Sequence, residues 1–362
     1  MAETKHLVEL TFEPADECRP EPAAPPETPA WKNGTIRIGI HTSIAGEISR
    51  SLDIAAGLGA NALQIFSASP RMWDRGASRI LPLDAERFRA RRRELALGPL
   101  VVHCNYLLNL ASPNPVLQAR SVQALYRELV RALALGADYL VLHPGCAMTS
   151  DIPTASCAVA RGLRQAARGL KLEELGILLE NTAGQGSSIG SRFEELKAIM
   201  DACADLPVGV CIDTAHLFAA GWDIRTAEGL ENTLFHLERE IGVKRVPVIH
   251  VNDSKTPLGS RVDRHEHIGK GKIGFEAFAR ILNHPLLSTC AFILETPIDK
   301  PGDDKRNLAQ LWKLVGRKVP ATGIRDGIRA ASGKPSRRSR PAPFTERTAS
   351  KDSQVRSKAK AL

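Results

Sequence analysis

The chain has 362 residues, of which 43% are hydrophobic, and its formal net charge is +9 at pH 7. It contains no run of about 18 consecutive apolar residues, so a membrane-spanning helix is not expected. The first residues, MAETKHLVELTFEPADE, lack the basic start and apolar core of a secretory signal. The seven cysteines form no CxxC pair, which indicates reduced thiols and a cytoplasmic protein.

The positive charge is concentrated at the C-terminal end. Residues 317–362 hold 13 Lys/Arg against 3 Asp/Glu, with few apolar residues and no period, which predicts a disordered basic tail. Such a tail can neutralise nucleic-acid phosphates or simply increase solubility, and the sequence leaves both readings open. Residues 1–34 are acidic and Pro-rich and are predicted to be a second, mostly disordered extension. The expected folded domain is residues 35–316.

Between these extensions, short apolar runs alternate with amphipathic segments of helical spacing. The runs are continuously apolar, which is typical of parallel strands buried on both faces. Eight strands alternating with helices predict a (β/α)8 TIM barrel. A doubly wound open sheet is the alternative, although no GxGxxG follows the first strand. The predicted strands are TIRIGIH (35–41), NALQIFS (61–67), PLVVHC (99–104), DYLVLH (138–143), GILLE (176–180), VGVCID (208–213), VPVIHV (246–251) and CAFILE (290–295).

Residue types that bind metals stand at or just after the ends of these strands. PLVVHC delivers His103 and GILLENT delivers Glu180, for example. Because a parallel barrel builds its active site at the C-terminal ends of its strands, such side chains are expected to meet at one rim. Nine nitrogen and oxygen donors are too many for one zinc ion, so the pattern predicts a centre with several metals. The predicted ligands are His103, His143, Glu180, Asp213, His216, His250, Asp263, His265 and Glu295.

Each donor also has an ordinary structural explanation. A single histidine at a strand end is more often a hydrogen-bonded core residue, and a single carboxylate at a barrel mouth is often an ion-pair partner. A metal-dependent sugar isomerase or epimerase is the main rival class of enzyme, and a non-enzymatic nucleic-acid binder is a third class. The DxH spacing of Asp263 and His265 adds a third ligand group, which argues against the isomerase. His41 ends the first strand and is expected to support the ligands without binding a metal.

Six segments resemble, in chain order, the signature segments of the endonuclease IV family. They are VHCNYLLNLAS, LVLHPG, LLENTAGQGSSIGSRFEEL, VGVCIDTAHLFAAGWDIRT, HVNDSKTPLGSRVDRHEHIGKGKIG and ILETP. This family comprises zinc-dependent apurinic/apyrimidinic endonucleases of DNA base-excision repair. The resemblance covers roughly residues 36–315 and leaves both extensions unmatched.

The resemblance implies three Zn²⁺ ions per chain. One would be held by His103, His143 and Glu180. Glu180 would bridge to a second ion, and the third would have a separate ligand group. The second ion would also be bound by Asp213, His250 and Glu295, and the third would be bound by His216, Asp263 and His265. Glu180 and Glu295 would be the catalytic residues.

The family resemblance also implies the substrate and the reaction. The substrate would be double-stranded DNA containing an abasic site. Hydrolysis of the phosphodiester 5′ to that site would leave a 3′-hydroxyl and a 5′-deoxyribose phosphate, and 3′-end processing would be a further activity. The protein is expected to be a cytoplasmic, nucleoid-associated monomer without membrane contact.

The family places DNA-penetrating residues on the loops after the second and third strands. Arg71, in SPRMW, and the pair Tyr106–Leu107 occupy the matching positions. Side chains of this kind can fill the gap that a flipped nucleotide leaves. Three basic residues of SKTPLGSRVDRH are expected to contact the DNA backbone, with a solvated loop as the alternative. They are Lys255, Arg261 and Arg264.

Overall fold

The structure is a computed structural model that describes residues 35–73 and 80–317. The predictions for the acidic extension (1–34) and for nearly all of the basic tail (317–362) therefore lie outside the described residues. Among the residues that the structure describes, no helix combines the length and the apolar character needed to cross a bilayer.

Eight parallel strands close into a barrel in which β1 pairs with both β2 and β10. This confirms the predicted TIM barrel and rules out the open-sheet alternative. Every observed strand begins and ends within two residues of its predicted apolar run. The barrel strands are β1 (Arg37–Thr42), β2 (Ala62–Phe66), β3 (Leu100–His103), β4 (Tyr139–Leu142), β5 (Gly176–Glu180), β6 (Val208–Asp213), β7 (Val248–His250) and β10 (Ala291–Leu294).

Helices connect successive strands and cover the outside of the barrel. The longest, α3, begins after Asn114, whose side chain accepts hydrogen bonds from two backbone amides of the first turn, and ends at the left-handed Gly136. The helices are α1 (Arg50–Leu58), α2 (Pro82–Glu94), α3 (Pro115–Leu135), α4 (Ile152–Ala167), α5 (Phe193–Ala202), α6 (Thr214–Ala219), α7 (Ala227–Glu240), α8 (Phe275–Leu282) and α9 (Asp303–Leu314). Short 3₁₀ turns lie at Val243–Arg245 and Pro285–Leu287.

The barrel interior has its own apolar cluster, separate from the larger core between strands and helices. Alternate residues of a strand point to opposite faces, so one residue in two faces inward. At the crowded first strand only glycine fits, because a Cβ on Gly39 would lie 2.6 Å from the Ile293 side chain. The interior cluster is Ala62, Val101, Tyr139, Val141, Leu178, Cys211, Val248 and Ile293.

The same alternation places a polar layer directly above this cluster, at the C-terminal end of the barrel. Two residues after Val101 comes His103, and two residues after Leu178 comes Glu180. All seven cluster-bearing strands follow this rule. The seven residues two positions after the last cluster residue of each strand are Gln64, His103, His143, Glu180, Asp213, His250 and Glu295. The strand period therefore delivers most of the predicted ligands to one rim.

A small antiparallel hairpin interrupts the path from β7 to α8. Its strands are β8 (Asp253–Ser254) and β9 (His265–Glu266), and Ser254 pairs with His265. The loop between them carries Asp263, so the hairpin returns Asp263 and His265 to the same rim as the strand-end ligands. The sequence predicted only an extended loop here.

Candidate metal centre

The nine predicted ligands come together at the C-terminal rim, where eight of them fall into three overlapping groups. Within each group the candidate ligand atoms lie within 4.8 Å of one another. Glu180 and Asp213 each belong to two groups. The groups are His103–His143–Glu180, Glu180–Asp213–His250–Glu295, and Asp213–His216–His265.

Glu180 lies at the junction of the first two groups and is fully buried. Its Oε2 atom lies 3.0 Å from His103 Nε2 and 3.4 Å from His143 Nε2. Its Oε1 atom lies 3.1 Å from His250 Nδ1 and 3.3 Å from His216 Nδ1. The two oxygens therefore face different histidines, and Glu180 is the carboxylate shared by the first two groups.

The third group is built by a helix start and the hairpin loop. Asp213 is the N-cap of α6 and accepts a hydrogen bond from the His216 amide at 2.8 Å, which fixes the two side chains three residues apart. Asp263 reaches both histidines of the group, with Oδ2 at 3.2 Å from His216 Nε2 and Oδ1 at 3.3 Å from His265 Nε2. Asp263 therefore lies beside this group as the ninth donor.

Most of these histidines use one ring nitrogen to donate a hydrogen bond to a backbone carbonyl. A carbonyl oxygen only accepts, so the ring nitrogen that faces it must carry the hydrogen, and the other nitrogen then has a free lone pair. Three histidines donate from Nδ1 to backbone carbonyls in this way. The pairs are His103 with Cys104 at 2.7 Å, His216 with Asn181 at 2.9 Å, and His265 with Glu295 at 3.3 Å.

The donor set and its spacing fit zinc. Two donors about 2.0–2.2 Å from one zinc ion lie about 3.0–3.5 Å apart at ordinary coordination angles. The closest ring-nitrogen-to-carboxylate distances, 3.0 to 3.4 Å, fall in this range. His265 Nε2 is buried and has no hydrogen-bond partner among the described residues. A buried lone pair without a donor is costly, and a cation at this position would satisfy it.

The carboxylates of the cluster are held in their charged form. Burial alone would raise the pKa of Glu180, but His143 and His250 and hydrogen bonds from two further histidines outweigh it and hold the pKa well below its usual value. Asp263 behaves similarly, because burial would raise its pKa but the hydrogen bond from His216 and the nearby His216, His265 and His143 together outweigh it and lower the pKa to about 2. Both side chains are therefore anionic ligands at neutral pH.

Two buried asparagines support the ligands and were not predicted from the sequence. Asn252 donates to Asp213 Oδ2 at 2.6 Å and accepts from the Glu295 amide at 2.9 Å. Asn181 accepts from the Asp213 amide at 2.6 Å. Their position one or two residues after a strand-end donor, in GILLENT and PVIHVND, is the signal that could have identified them.

The remaining histidines lie around or away from the cluster. The His41 ring faces Glu295, with Nδ1 at 3.6 Å from Oε1, which agrees with its expected supporting position. His267 Nδ1 accepts a hydrogen bond from the Asn307 side chain on α9 at 3.0 Å. His284 caps the 3₁₀ turn Pro285–Leu287.

The predicted DNA-penetrating residues lie on two adjoining loops. Tyr106 is 60% exposed, its ring packs edge-on against Phe66 with centroids 5.4 Å apart, and its amide donates to the Pro70 carbonyl at 3.1 Å. Desolvation and the nearby Glu295, Glu180 and Asp263 carboxylates raise the pKa of Tyr106 to about 12, so the side chain is neutral. Arg71 is exposed and Leu107 is half-buried.

The three basic residues of the hairpin segment are exposed. Arg264 donates to the Asp263 carbonyl at 2.6 Å, beside the third ligand group. Arg261 has the unusual backbone angle φ +56, and its amide is held by the Ala219 carbonyl at 2.9 Å. Lys255 is bonded through its backbone to Arg264, which leaves its side chain facing solvent.

A cavity of about 330 Å³ opens beside the ligands. Tyr106 lines one side, and the ligands His143, His216 and Asp263 line another. The cavity is large enough for a sugar-sized group, and it places such a group against the cluster.

Comparisons with known proteins agree with this geometry. The family described as "Xylose isomerase-like TIM barrel" matches residues 52–315. A protein named "Probable endonuclease 4" from Solibacter usitatus (strain Ellin6076) is 51% identical over 289 residues, covering 79% of this chain and 99% of that protein. A protein of the same name from Methanosphaerula palustris is 42% identical over 286 residues, covering 77% and 98%.

Solved structures give the same result. The crystal structure of endonuclease IV from Thermus thermophilus superposes with a TM-score of 0.69 at 40% identity, covering 77% of this chain and 98% of that chain. An L-ribulose 3-epimerase has a TM-score of 0.52 at 16% identity, which shows a shared barrel fold alone. The resemblance seen in the sequence is confirmed, and the chain belongs to the endonuclease IV family.

Proposed function

We propose that this protein is a zinc-dependent DNA repair endonuclease that hydrolyses the phosphodiester 5′ to an abasic site. The products would be a 3′-hydroxyl and a 5′-deoxyribose phosphate. The observation that carries the proposal is the position of Glu180, whose two carboxylate oxygens each face two histidines at the active rim of an endonuclease IV barrel.

Three Zn²⁺ ions per chain would occupy the cluster. Glu180 would bridge the first two ions. When bound, zinc supplies Lewis acidity, which lowers the pKa of water and neutralises charge on phosphate oxygens. The first ion would be held by His103, His143 and Glu180, the second by Glu180, Asp213, His250 and Glu295, and the third by His216, Asp263 and His265.

The two proposed catalytic carboxylates act on the attacking water. Glu295 Oε2 lies 3.3 Å from His250 Nδ1, and its side chain is 17% exposed, so substrate and water can reach it. Glu295 and Glu180 would orient the water towards phosphorus. The water oxygen would bond to phosphorus as the P–O3′ bond breaks, and the proton that the water loses would pass to the departing oxygen, which becomes the 3′-hydroxyl.

The DNA would lie across the rim. Tyr106, Leu107 and Arg71 would enter the duplex at the abasic site, because exposed aromatic, apolar and planar groups can replace an unstacked nucleotide. Lys255, Arg261 and Arg264 would contact the phosphates that flank the cluster. The same chemistry would remove sugar fragments or phosphates that block a 3′ end.

The proposal extends to the organisation of the chain. Residues 35–316 would form the catalytic domain, residues 1–34 an acidic extension and residues 317–362 a basic tail. A monomer is sufficient, because every proposed ligand comes from one chain. The expected location is the cytoplasm, in association with the nucleoid.

The rival classes leave observations unexplained. A sugar isomerase or epimerase needs one or two metals and a free base, and the group formed by His216, Asp263 and His265 would then have no purpose. A non-enzymatic nucleic-acid binder would gain nothing from a buried cluster of nine metal-type donors.

The test is a cleavage assay on a duplex with one abasic site, with and without chelator, alongside the measured metal content. We expect a single incision 5′ to the abasic site, loss of activity in chelator, and recovery with added Zn²⁺. Incision of the duplex that is unaffected by chelator, or a metal-loaded protein that leaves the duplex intact, would contradict the proposal.

A further inference from the structure

Gln64 is a fully buried amide in an otherwise apolar strand. It lies on β2 two residues after the interior residue Ala62, and its exposed fraction is 0%. Burying an amide without hydrogen bonds costs several kcal/mol, so its partners in the polar layer define what it does there.

Both ends of the Gln64 amide contact proposed ligands of one metal. Its Nε2 atom donates to Glu295 Oε1 at 2.5 Å and also lies 3.0 Å from His41 Nδ1. Its Oε1 atom lies 2.8 Å from His250 Nε2. A single side chain thus links residues from β1, β7 and the end of β10.

The chemistry of these partners fixes the orientation of the amide. Glu295 is ionised and can only accept, so the amide nitrogen must face it. The amide oxygen then faces His250, and because this oxygen only accepts, His250 Nε2 must carry the ring hydrogen. The lone pair of His250 is therefore on Nδ1, which faces Glu180 at 3.1 Å and Glu295 at 3.3 Å.

We propose that Gln64 is a positioning residue that fixes the tautomer of His250 and the carboxylate orientation of Glu295. It thereby sets the zinc affinity of the position that these two ligands share. The inference rests on the metal centre of the proposed function and adds a residue outside its ligand set.

The ring N–H of His250 donates to a different kind of acceptor from those of three neighbouring histidines. His103, His216 and His265 donate to backbone carbonyls, which no substitution of a side chain removes. His250 donates to a side chain instead. A substitution at Gln64 should consequently weaken one metal position and leave the other two intact.

The experiment compares Gln64→Met with Ile65→Met. Both residues lie on β2, are fully buried and resemble Met in size, but Ile65 belongs to the core between the strands and the helices. Zinc affinity is measured by competition with a chelator. The His250 tautomer is read from ¹⁵N shifts of the metal-free protein, and the stability of the metal-free protein from chemical unfolding.

For Gln64→Met we expect one of three zinc ions to bind about 10–100-fold more weakly, with the other two unchanged. We also expect His250 to lose its single Nε2–H tautomer. Ile65→Met should match the wild type in both respects, and its metal-free form should unfold within about 1.5 kcal/mol of the wild type. Should Gln64→Met not fold, Gln64→Ala carries the same expectation for metal and tautomer.

The two proposals fail in different ways. Wild-type zinc affinity and a wild-type His250 tautomer in Gln64→Met would overturn the role of Gln64 while leaving the metal centre in place. A wild-type protein that binds no zinc would overturn the proposed function and this inference with it. Equal weakening of all three ions would also overturn the specific link to His250 and Glu295.

Discussion

Glu180 is the residue proposed to join two metal positions, and its substitution tests whether it acts in DNA binding or in the cleavage step. Glu180→Gln keeps the shape of the side chain but removes the negative charge that faces four histidines. We expect the rate of single-turnover cleavage at saturating abasic duplex to fall by at least about 100-fold. DNA affinity should change little, because the exposed rim residues are untouched.

The matched control is Glu173→Gln, an exposed glutamate that precedes β5 at the opposite end of the barrel. It should cleave like the wild type. Near-normal cleavage by Glu180→Gln, or an equal loss in both variants, would contradict the assigned role.

Asp253 is the anchor of the segment that carries the third ligand group. Its two oxygens accept five backbone N–H groups, and at Gly271 only glycine fits, because a Cβ would lie 2.4 Å from Asp253 Oδ1. The donors and distances are Ser254 2.8 Å, Ile273 2.9 Å, Gly269 2.9 Å, Gly271 3.0 Å and Gly274 3.4 Å.

Asp253→Asn turns one acceptor into a donor that faces these amides. We expect a loss of about 2–3 kcal/mol in the free energy of unfolding, because hydrogen bonds to a charged group are the stronger kind. Urea unfolding of the metal-free protein checks this. Asp299→Asn, at a side chain that is 63% exposed, is the control and should be nearly neutral. Equal stability of the two variants would show that Asp253 anchors nothing.

At the scale of single residues, the sequence predicted the candidate metal-binding residues better than the residues that hydrogen-bond to them. The ligands were predictable because charged groups and histidines stand out at the ends of apolar strands. In the sequence, Gln64 could be seen only as an amide within the apolar strand NALQIFS. Its proposed role depends on His250 and Glu295, which are remote from it in the chain. Asn252 likewise acts through Asp213, which is remote in sequence.

At the scale of the elements, the two loops that we propose contact DNA are held to one helix. Glu128 and Arg131 of α3 form a buried ion pair at 3.1 Å. Ser67, at the end of β2, donates to Glu128 and accepts from Arg131, and Asn105, after β3, donates to Glu128 at 3.4 Å. Asn105 also accepts from the Leu107 amide at 3.0 Å, so the pair braces both loops.

Glu128→Gln should loosen these loops, because it removes the negative charge from the buried ion pair with Arg131. We expect a loss of about 3–5 kcal/mol in stability and a KM for abasic duplex that rises more than kcat falls, with zinc content unchanged. Chemical unfolding and steady-state kinetics measure both.

Glu94→Gln is the matched control, since Glu94 pairs with Arg91 at the same i,i+3 spacing but is 62% exposed. An exposed pair of this kind is worth at most about 1 kcal/mol. Similar effects of the two substitutions, or a loss of zinc in Glu128→Gln, would contradict the role of the Glu128–Arg131 pair in holding the two loops.

Element type was predictable from apolar runs, whereas the hairpin of β8 and β9 was not. Each of its strands has two residues, too few for a period to appear in the sequence. The hairpin forms because Asp253 gathers the amides of the following turn, which is a tertiary effect.

On the scale of the whole molecule, the strand period accounts for both fold and site. An inward apolar residue followed two positions later by a polar one, repeated in seven strands, builds a packed interior beneath a reactive rim. The grouping of donors around shared ions could not be obtained from spacing, because it depends on the register of neighbouring strands.

The basic tail is predicted to act through charge alone. Residues 317–362 carry 13 Lys/Arg against 3 Asp/Glu, so their removal should lower affinity for duplex DNA most at low salt and flatten its salt dependence. The cleavage rate at saturating DNA should stay within about twofold of wild type, as neutralised phosphates contribute to binding and not to the chemical step. A large fall in that rate would contradict a purely electrostatic tail.

The most direct test of the metal centre is anomalous diffraction at the zinc absorption edge from crystals of the wild-type protein. We predict three peaks at the C-terminal rim of the barrel, two of them on either side of the Glu180 carboxylate and the third between His216, Asp263 and His265. A single peak, or peaks away from Glu180, would contradict the account.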